Sequence, residues 1–436
     1  NARVWRCGVA PLALLLASSA LAQTDSDELP RLQSAECPNQ ALRELDATCH
    51  TFHAPENWED SNGNTISLPV AVIEPEGGAA DEDKLPVFFF PGGPGYSSLG
   101  ERDYMEQLLE DIGERTLVTM DHRGFIHADP SLECPEYAAV SPYHNIIHTP
   151  AITASLEPMH RLSIITSEVE ACHRKLTAEG HDVSQYNSHA VSRDVDEIRR
   201  LLGYERIDGF GSSTGSGTLA SFIQYHPDSI RAAIFGWPWF NHLRNRPPVD
   251  ELYTAKQTFT DTLALCVAED RGCRELLPNW MQSIDRARRR LDARPYVAHV
   301  ATPYGRTQTL YFDGAAFLDT LYLTLASDYA ELPSLVADIE AGDYSRLEGF
   351  FRIEDHDPNP EAPNYALGYF LAHVCSDMGS NRPSPTDSIA AVERDPAVLG
   401  FEPPWLCAWW GEDGDVPAEH NDPPVSEIPA LAIHGQ

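Results

Sequence analysis

One five-residue segment, Gly211-Ser212-Ser213-Thr214-Gly215, constrains the fold more than any other part of the sequence. It has the pattern Gly-x-Ser-x-Gly. The residues before it, 204–210, are able to run as a short strand, and apolar residues recur at helical spacing from Leu219 until Pro227. A strand, a turn of small residues and a helix together expose a serine at the end of a sheet, on a strained backbone turn. We therefore predict that Ser213 is a nucleophile.

A glycine-rich loop lies upstream of this serine. Residues 85–90 form a continuous apolar run, which is typical of a strand buried on both faces, and Pro91-Gly92-Gly93-Pro94-Gly95 follows directly. Glycines let backbone N–H groups approach a ligand closely, as an oxyanion site requires. We predict that the N–H of Thr214 and one from Gly92 or Gly93 hold an oxyanion. An ordinary turn is the alternative interpretation of the loop.

The rest of the first half alternates between strand and helix patterns. Further strands are predicted over 116–120 and 230–235, and a helix runs from Val191 to Leu202. This alternation predicts an α/β fold with a mostly parallel sheet wrapped by helices. Asp121-His122-Arg123-Gly124 follows the strand over 116–120, and we expect Asp121 and Arg123 to brace loops.

Three other segments complete the predicted organisation of this core. Residues 23–65 are polar and irregular, residues 66–73 alternate like a strand that Pro69 places at a sheet edge, and residues 428–436 have the apolar pattern of a buried strand.

The pattern changes between Trp237 and Trp410. Amphipathic helices are predicted over 254–267, 281–291 and 317–325, with few strand candidates between them. We interpret this part as a helical cap inserted into the core. The predicted domains are a signal peptide over 1–22, the first part of the core over 23–236, the cap over 237–410 and a return to the core over 411–436.

Charge and the N-terminus limit the possible partners. The chain has 66 Asp and Glu against 31 Lys and Arg, a formal net charge of -35, which disfavours binding to nucleic acid or anionic lipid. Arg3 and Arg6 precede a short apolar run, and Ala20-Leu21-Ala22 suits a signal-peptidase site. We expect export to the periplasm or the extracellular space, with no membrane association in the mature form. A membrane anchor is the alternative.

The cysteines favour disulfides over metal. Eight remain after the predicted signal peptide, and an even number in an exported protein suggests disulfides. Eight cysteines allow 105 pairings, and we predict pairing between nearest neighbours. The predicted pairs are Cys37 with Cys49, Cys134 with Cys172, Cys266 with Cys273 and Cys375 with Cys407. The spacings do not suit zinc, and we expect neither a metal nor a cofactor.

These motifs resemble the α/β-hydrolase fold and, within it, the secreted prolyl and tripeptidyl aminopeptidase family of serine peptidases. The resemblance runs from about Cys37 to Gln436. Residues 91–95 look like the family's oxyanion loop H-G-G-P-G, residues 121–124 are similar to D-Q-R-G, and residues 211–215 are similar to G-G-S-Y-G. The sequence departs from the family where Phe90-Pro91 replaces a histidine, where Thr214 replaces an aromatic residue, and where Phe125-Ile126-His127 replaces G-x-S.

The resemblance implies an activity and also an incomplete triad. It implies removal of N-terminal residues or short peptides through an acyl-enzyme on Ser213, with a peptide or ester as substrate. A carboxylesterase or other acyl hydrolase of the same fold and a non-catalytic binding protein are the alternatives. The family's acid would lie about two residues beyond Gln436 and its histidine further on. We therefore expect a fragment truncated at both ends and inactive as it stands. The oligomeric state is not predicted.

Overall fold

The computed structural model describes most of the chain. The described ranges are 28–60, 63–75, 84–138, 158–240, 279–301, 307–314, 332–346, 366–379, 382–394, 404–411 and 416–433, with single helical positions at 257, 261, 264, 268, 317 and 321. The predicted signal peptide, Cys266 and Cys273 lie outside these residues. The helices predicted over 254–267 and 317–325 are described only at some of these single positions.

Ten strands form two sheets among the described residues. The strands are β1 Arg31–Ser34, β2 Thr48–Pro55, β3 Thr65–Ile73, β4 Val87–Phe90, β5 Leu117–Met120, β6 Ile207–Ser212, β7 Ile230–Gly236, β8 Tyr296–Ala301, β9 Thr307–Phe312 and β10 Ala430–Ile433. Eight of them form one sheet in the order β1-β2-β3-β5-β4-β6-β7-β10, and β8 and β9 pair as a separate antiparallel hairpin.

Helices connect most of the strands. They are α1 Gln40–Glu44, α2 Arg102–Ile112, α3 Pro135–Ala138, α4 Pro158–Ala178, α5 Ser188–Leu201, α6 Gly215–Tyr225, α7 Trp280–Ala293, α8 Leu332–Ala341, α9 Leu367–Met378 and α10 Pro385–Arg394. The helix predicted over 281–291 is confirmed as α7, and the one predicted from Val191 to Leu202 is confirmed as α5.

The main sheet is mostly parallel, as the alternation of patterns predicts. Four of its seven pairings are parallel, and the three antiparallel ones lie at the β1 side. All four residues of β4 are buried. Phe88 and Phe90 pack into one hydrophobic cluster, whereas Val87 and Phe89 pack into another. Because successive side chains of a strand point to opposite faces, β4 is covered on both sides, and its end lies deep in the protein.

The prediction that residues 23–65 are irregular was wrong. This region contains β1, α1 and β2, and β2 pairs with β3 along its whole length. The apolar signal is weak because only alternate positions need to be apolar, and Phe52 and Ala54 are the fully buried ones.

The prediction that Pro69 places its strand at an edge was also wrong. The strand β3 lies between β2 and β5. The Pro69 carbonyl accepts from Asp121 N at 3.3 Å, so its nitrogen faces the point where β5 ends at Met120. The ladder there needs no donor from Pro69, which removes the usual objection to an interior proline.

The last strand is in the predicted place but is not buried. β10 pairs in parallel with β7 at the edge of the sheet, and all four of its residues are exposed. Leu431 is 55% exposed and Ile433 is 47% exposed. An apolar run shows that a segment suits a sheet interior, but burial depends on what packs against it. No described element covers this strand.

The region predicted as a cap contributes to two hydrophobic clusters. Buried residues of α7, β9 and α8 form a cluster of their own, which includes Leu291, Phe312 and Val336. The helix α9 and the segment with Trp405 and Trp410 instead pack with the main sheet cluster. Core packing is therefore the role of these two tryptophans. The hairpin β8–β9 is a feature that the sequence did not indicate. The domain boundaries stay a prediction.

Three of the four predicted disulfides are present. They join Cys37 to Cys49, Cys134 to Cys172 and Cys375 to Cys407. In each bond one cysteine lies on a strand or an α-helix (Cys49 on β2, Cys172 on α4 and Cys375 on α9), and its partner lies outside the strands and α-helices. Among the helices in the described ranges, none combines the length and the apolar character needed to cross a bilayer.

Candidate active site

Ser213 lies at a sharp turn between β6 and α6. Its φ of 51° is in the left-handed region, which a non-glycine residue seldom adopts. The flanking glycines make the turn possible. A Cβ at Gly215 would lie 2.0 Å from the Phe90 carbonyl oxygen, and one at Gly211 would lie 2.8 Å from the Gly215 oxygen. The predicted strand, turn and helix are thus observed, with the serine half-buried rather than enclosed in the core.

Backbone hydrogen bonds hold Ser213 in this strained conformation. Its N–H donates to the Gly236 carbonyl at 2.8 Å, and its carbonyl accepts from Ser216 at 3.0 Å and from Trp239 at 3.1 Å. Strain at a single residue persists only when the surroundings over-determine it. The end of β7 therefore fixes the serine, and β10 ends beside the same point, because Ile433 is in register with Gly236.

The glycine loop after β4 lies directly against the serine. A Cβ built on Gly92 would come within 2.7 Å of Ser213 Cβ and 2.6 Å of the Ser212 carbonyl oxygen. Adding one carbon–carbon bond of about 1.5 Å puts Gly92 Cα within about 4.2 Å of Ser213 Cβ. Only a residue without a side chain allows this approach. Both Gly92 and Gly93 are half-buried, so a small ligand can reach them.

Three backbone donors near the serine are available for a ligand. Within the part of the chain that the structure describes, the N–H groups of Gly92, Gly93 and Thr214 donate no hydrogen bond. Thr214 is buried and precedes the first residue of α6, where helix N–H groups point away from the helix and favour negative charge. A site with unpaired donors on two sides of a serine hydroxyl is suited to a developing oxyanion.

The same loop is closed by one turn of its own and attached to the rest of the core at two points. Tyr96 N donates to the Gly93 carbonyl at 2.6 Å, which closes a tight turn. Ala366 N donates to the Gly95 carbonyl at 3.0 Å, which ties the loop to the start of α9. Ser97 Oγ donates to Asp121 Oδ1 at 2.7 Å, which ties it to the end of β5. The loop is therefore held by the end of β5 and by the start of α9.

Asp121 and Arg123 brace loops, as we expected from the sequence. Asp121 is fully buried and accepts from Ser97 and from His127 Nδ1, the latter at 3.0 Å. Arg123 is fully buried and makes a two-pronged ion pair with Asp194 at 2.7 and 2.6 Å. Its remaining donors reach backbone carbonyls, including that of Glu56. Both side chains hold backbone segments rather than face a ligand.

The buried histidines His122 and His420 are not hydrogen-bonded to Ser213. Burial lowers the pKa of His122 to about 3, with a further contribution from His373, so this imidazole is neutral in the folded protein. His420 Nε2 lies 3.1 Å from Asp377 Oδ1, and both are buried. No histidine among the described residues is hydrogen-bonded to Ser213. Over the same residues, no group of three His, Cys, Asp or Glu side chains could hold a metal ion.

Sequence reasoning located the serine and the loop but missed the residues that hold them. Ser97, which anchors the loop, carries no recognisable pattern. Tyr104 on α2, whose hydroxyl is hydrogen-bonded to Ser212 beside the nucleophile, lies far from that serine in the sequence. The position of His127 did carry a signal, because it lies in the segment that departs from the family pattern after Gly124.

A family model described as the alpha/beta hydrolase fold matches residues 86–310, just over half of the chain. No curated protein matches the sequence. One similar solved structure is a proline iminopeptidase-related protein from Thermus thermophilus, with 19% identity, 42% of this chain and 45% of that chain covered, and a TM-score of 0.24. Another is a candidate epoxide hydrolase from Pseudomonas aeruginosa, with 15% identity, 85% and 75% covered, and a TM-score of 0.28. This chain thus spans less than half of the Thermus protein. Likenesses this distant carry no argument about activity.

Proposed function

The chain belongs to the α/β-hydrolase fold family, and on that premise we propose that it is an exported serine hydrolase that removes residues or short peptides from the N-terminus of peptides. The single observation that carries the proposal is the turn at Ser213. A serine with a φ of 51°, half-exposed at the end of the sheet and packed against Gly92, has the backbone geometry of a nucleophile of this fold.

The proposed reaction begins with attack of Ser213 Oγ on the carbonyl carbon of the scissile amide. A serine hydroxyl is a poor nucleophile near neutral pH and needs a base to take its proton. In this fold the base is a histidine oriented by an acid, and both follow the serine in chain order. The amine then leaves with the proton, and water hydrolyses the acyl-enzyme in a second, equivalent step.

The oxyanion would be held by backbone groups of this chain. Thr214 N–H and one from Gly92 or Gly93 are the proposed donors, because they lie on two sides of Ser213 and have no partner among the described residues. The loss of one such donor typically costs about 3 to 4 kcal/mol of barrier. Since these donors are main-chain groups, the replacement of an aromatic residue by Thr214 affects substrate preference more than the type of reaction.

Two further features support export and the class of partner. Three disulfides in one chain are typical of an oxidising compartment. The net charge of -35 disfavours nucleic acid as a partner and is compatible with a peptide substrate that carries a free ammonium group. Such a substrate needs a carboxylate near its amine, because an unpaired buried charge is costly.

The proposal is tested with the full-length protein and three kinds of substrate. Peptide p-nitroanilides with a free N-terminus should be hydrolysed, and the same peptides with an acylated N-terminus should react at least about tenfold more slowly, since one lost charge contact costs about 1.4 kcal/mol or more. Ser213→Ala should lower kcat by several orders of magnitude, because the nucleophile itself is removed.

The matched control is Ser216→Ala. This residue is buried in the first turn of α6, close to the nucleophile in sequence, but its hydroxyl donates to the Gly211 carbonyl rather than toward the site. It should retain activity. Equal rates on free and acylated peptides would remove the aminopeptidase assignment, and a preference for p-nitrophenyl acetate would favour a carboxylesterase. Full activity of Ser213→Ala would contradict the whole proposal.

A further inference from the structure

His127 contacts the two side chains that anchor the glycine loop. Its Nδ1 lies 3.0 Å from Asp121 Oδ2 and 3.1 Å from Ser97 Oγ, and its backbone N–H is 3.4 Å from the same Asp121 oxygen. Asp121 is fully buried and Ser97 is 8% exposed, whereas the His127 side chain is 37% exposed. The cluster thus has a buried centre with one titratable side chain at its surface.

We propose that His127 is a positioning residue of the hydrolase site. Through Asp121 and Ser97 it holds the 91–97 loop against Ser213, more firmly when its ring is protonated than when it is neutral. This inference rests on the proposed function, in which the Gly92 and Gly93 N–H groups of this loop stabilise the oxyanion.

The count of hydrogens fixes the direction of each contact in the cluster. Ser97 has one hydroxyl hydrogen, which it donates to Asp121 Oδ1 at 2.7 Å, and its oxygen accepts from Leu99 N at 3.3 Å. The carboxylate of Asp121 only accepts. Nδ1 of His127 must therefore carry a hydrogen and donate to both partners. Nε2 makes no hydrogen bond with the described residues, so it is free to gain or lose the second proton.

The loop carries the effect of His127 to the serine over a short distance. Ser97 lies two residues beyond Gly95, whose carbonyl is fixed by Ala366, and Gly93 is closed onto Tyr96. Gly92 lies beside Ser213, because a Cβ built on Gly92 would come within 2.7 Å of Ser213 Cβ. The few residues between Ser97 and the Gly92 and Gly93 N–H groups are thus tightly constrained. A weaker hold at Ser97 therefore changes the position of the donors.

At low pH the positive charge of His127 strengthens its hydrogen bond to Asp121 and thereby the attachment of the glycine loop. Its hydrogen bond to Asp121 raises the pKa of His127 above its ordinary value of 6.5, and the nearby charge of Asp121 adds to this, while burial opposes it. Asp121 is the charged group that acts on this imidazole, and Ser97 is its neutral partner. A raised pKa in the folded state means that the contribution is complete below pH 6.5 and is lost as the pH rises through the raised value.

The test compares His127→Asn and His127→Leu with the wild-type full-length protein. The side-chain N–H of asparagine can replace Nδ1–H but cannot gain a charge. We expect kcat of the wild type to exceed that of His127→Asn about fivefold near pH 5.5 and to approach it near pH 8.5, because charge-assisted hydrogen bonds are roughly twice as strong as neutral ones. KM should change little. His127→Leu should have a lower kcat than His127→Asn at every pH, because leucine offers no N–H donor.

His53→Asn is the control for a histidine without a carboxylate partner. His53 lies on β2, and burial together with Arg31 lowers its pKa. The ratio of wild-type kcat to the kcat of His53→Asn should not change with pH. A constant wild-type to His127→Asn ratio across the range would overturn the proposal, even if the leucine variant does not fold. Failure of the proposed function itself would give a different result, because the Ser213→Ala variant would then keep its activity. The NMR titration of His127 and pH-dependent amide exchange over 91–97 would still test the hold on the loop.

Discussion

Gly92→Ala is the most direct perturbation of the contact between the glycine loop and the nucleophile. The added methyl group would lie 2.7 Å from Ser213 Cβ and 2.6 Å from the Ser212 carbonyl oxygen. Carbon atoms in contact are normally about 3.5 to 4.0 Å apart. The loop or the serine turn must therefore move by about 0.8 Å or more. Neither neighbouring atom is the end of a flexible side chain, so the backbone itself has to give.

A displacement of this size is large for a catalytic site but small for the fold. A misplacement of about 1 Å can cost 10²-fold in rate, and the loss of one oxyanion donor costs about 10²- to 10³-fold. We expect Gly92→Ala to lower kcat by about 10²-fold, which corresponds to about 2.7 kcal/mol of barrier. The thermal midpoint should fall by only a few degrees, because Gly92 is half-buried and lies outside the hydrophobic clusters.

Gly100→Ala is the matched control, and steady-state hydrolysis of a peptide p-nitroanilide is the assay. Gly100 follows the same loop, but a Cβ there would meet no atom within 4 Å. This variant should keep wild-type kcat. Activity of Gly92→Ala within about threefold of Gly100→Ala would refute the reasoning, since a shift of the donors could not then be important. An equal loss in both variants would point to a general effect of alanine in this segment.

Two further predictions concern the supporting core. Asp194→Asn should cost about 3 to 5 kcal/mol in urea denaturation, because Arg123 would keep its charge at 0% exposure without its ion-pair partner. Glu197→Gln, at an exposed ion pair on the same helix, should cost less than about 1 kcal/mol. A loss below about 1 kcal/mol for Asp194→Asn would show that the pair is not needed. His122→Phe should flatten the fall in stability between about pH 6.5 and pH 4. Burial lowers the folded-state pKa of His122 to about 3, so the unfolded chain binds one more proton in that range, and stability is lost as the pH falls. Equilibrium unfolding across this range measures the slope, which is about 1.4 kcal/mol per pH unit for one proton, and an unchanged slope would contradict the assignment.

The parts of the fold that the sequence predicted are those with a strong local pattern. The run of residues 85–90 is apolar throughout because β4 is covered on both faces, and the small residues around Ser213 are required by contacts as short as 2.0 Å. Such constraints restrict the residue types at neighbouring positions, so they can be recognised in the sequence. Three disulfides could likewise be predicted, because each pair of cysteines is close in the chain.

The parts that the sequence did not predict depend on long-range context. Pro69 indicates an edge strand only if its nitrogen, which has no hydrogen to donate, faces a neighbouring strand. Here β5 ends at Met120, just before the point where an N–H donor from residue 69 would be needed. The apolar residues of β10 are exposed because no described element packs on them, which no local pattern reveals. Ser97 anchors the glycine loop only because β5 brings Asp121 beside it.

The nucleophilic character of Ser213 is the central claim, and covalent labelling tests it most directly. The full-length protein is treated with a fluorophosphonate, digested, and searched by mass spectrometry for the modified peptide. The account predicts one adduct, on the peptide that contains Ser213, with a rate that falls about 10²-fold in Gly92→Ala because the phosphoryl oxygen uses the same N–H donors. No adduct, or an adduct on a serine elsewhere in the chain, would contradict it.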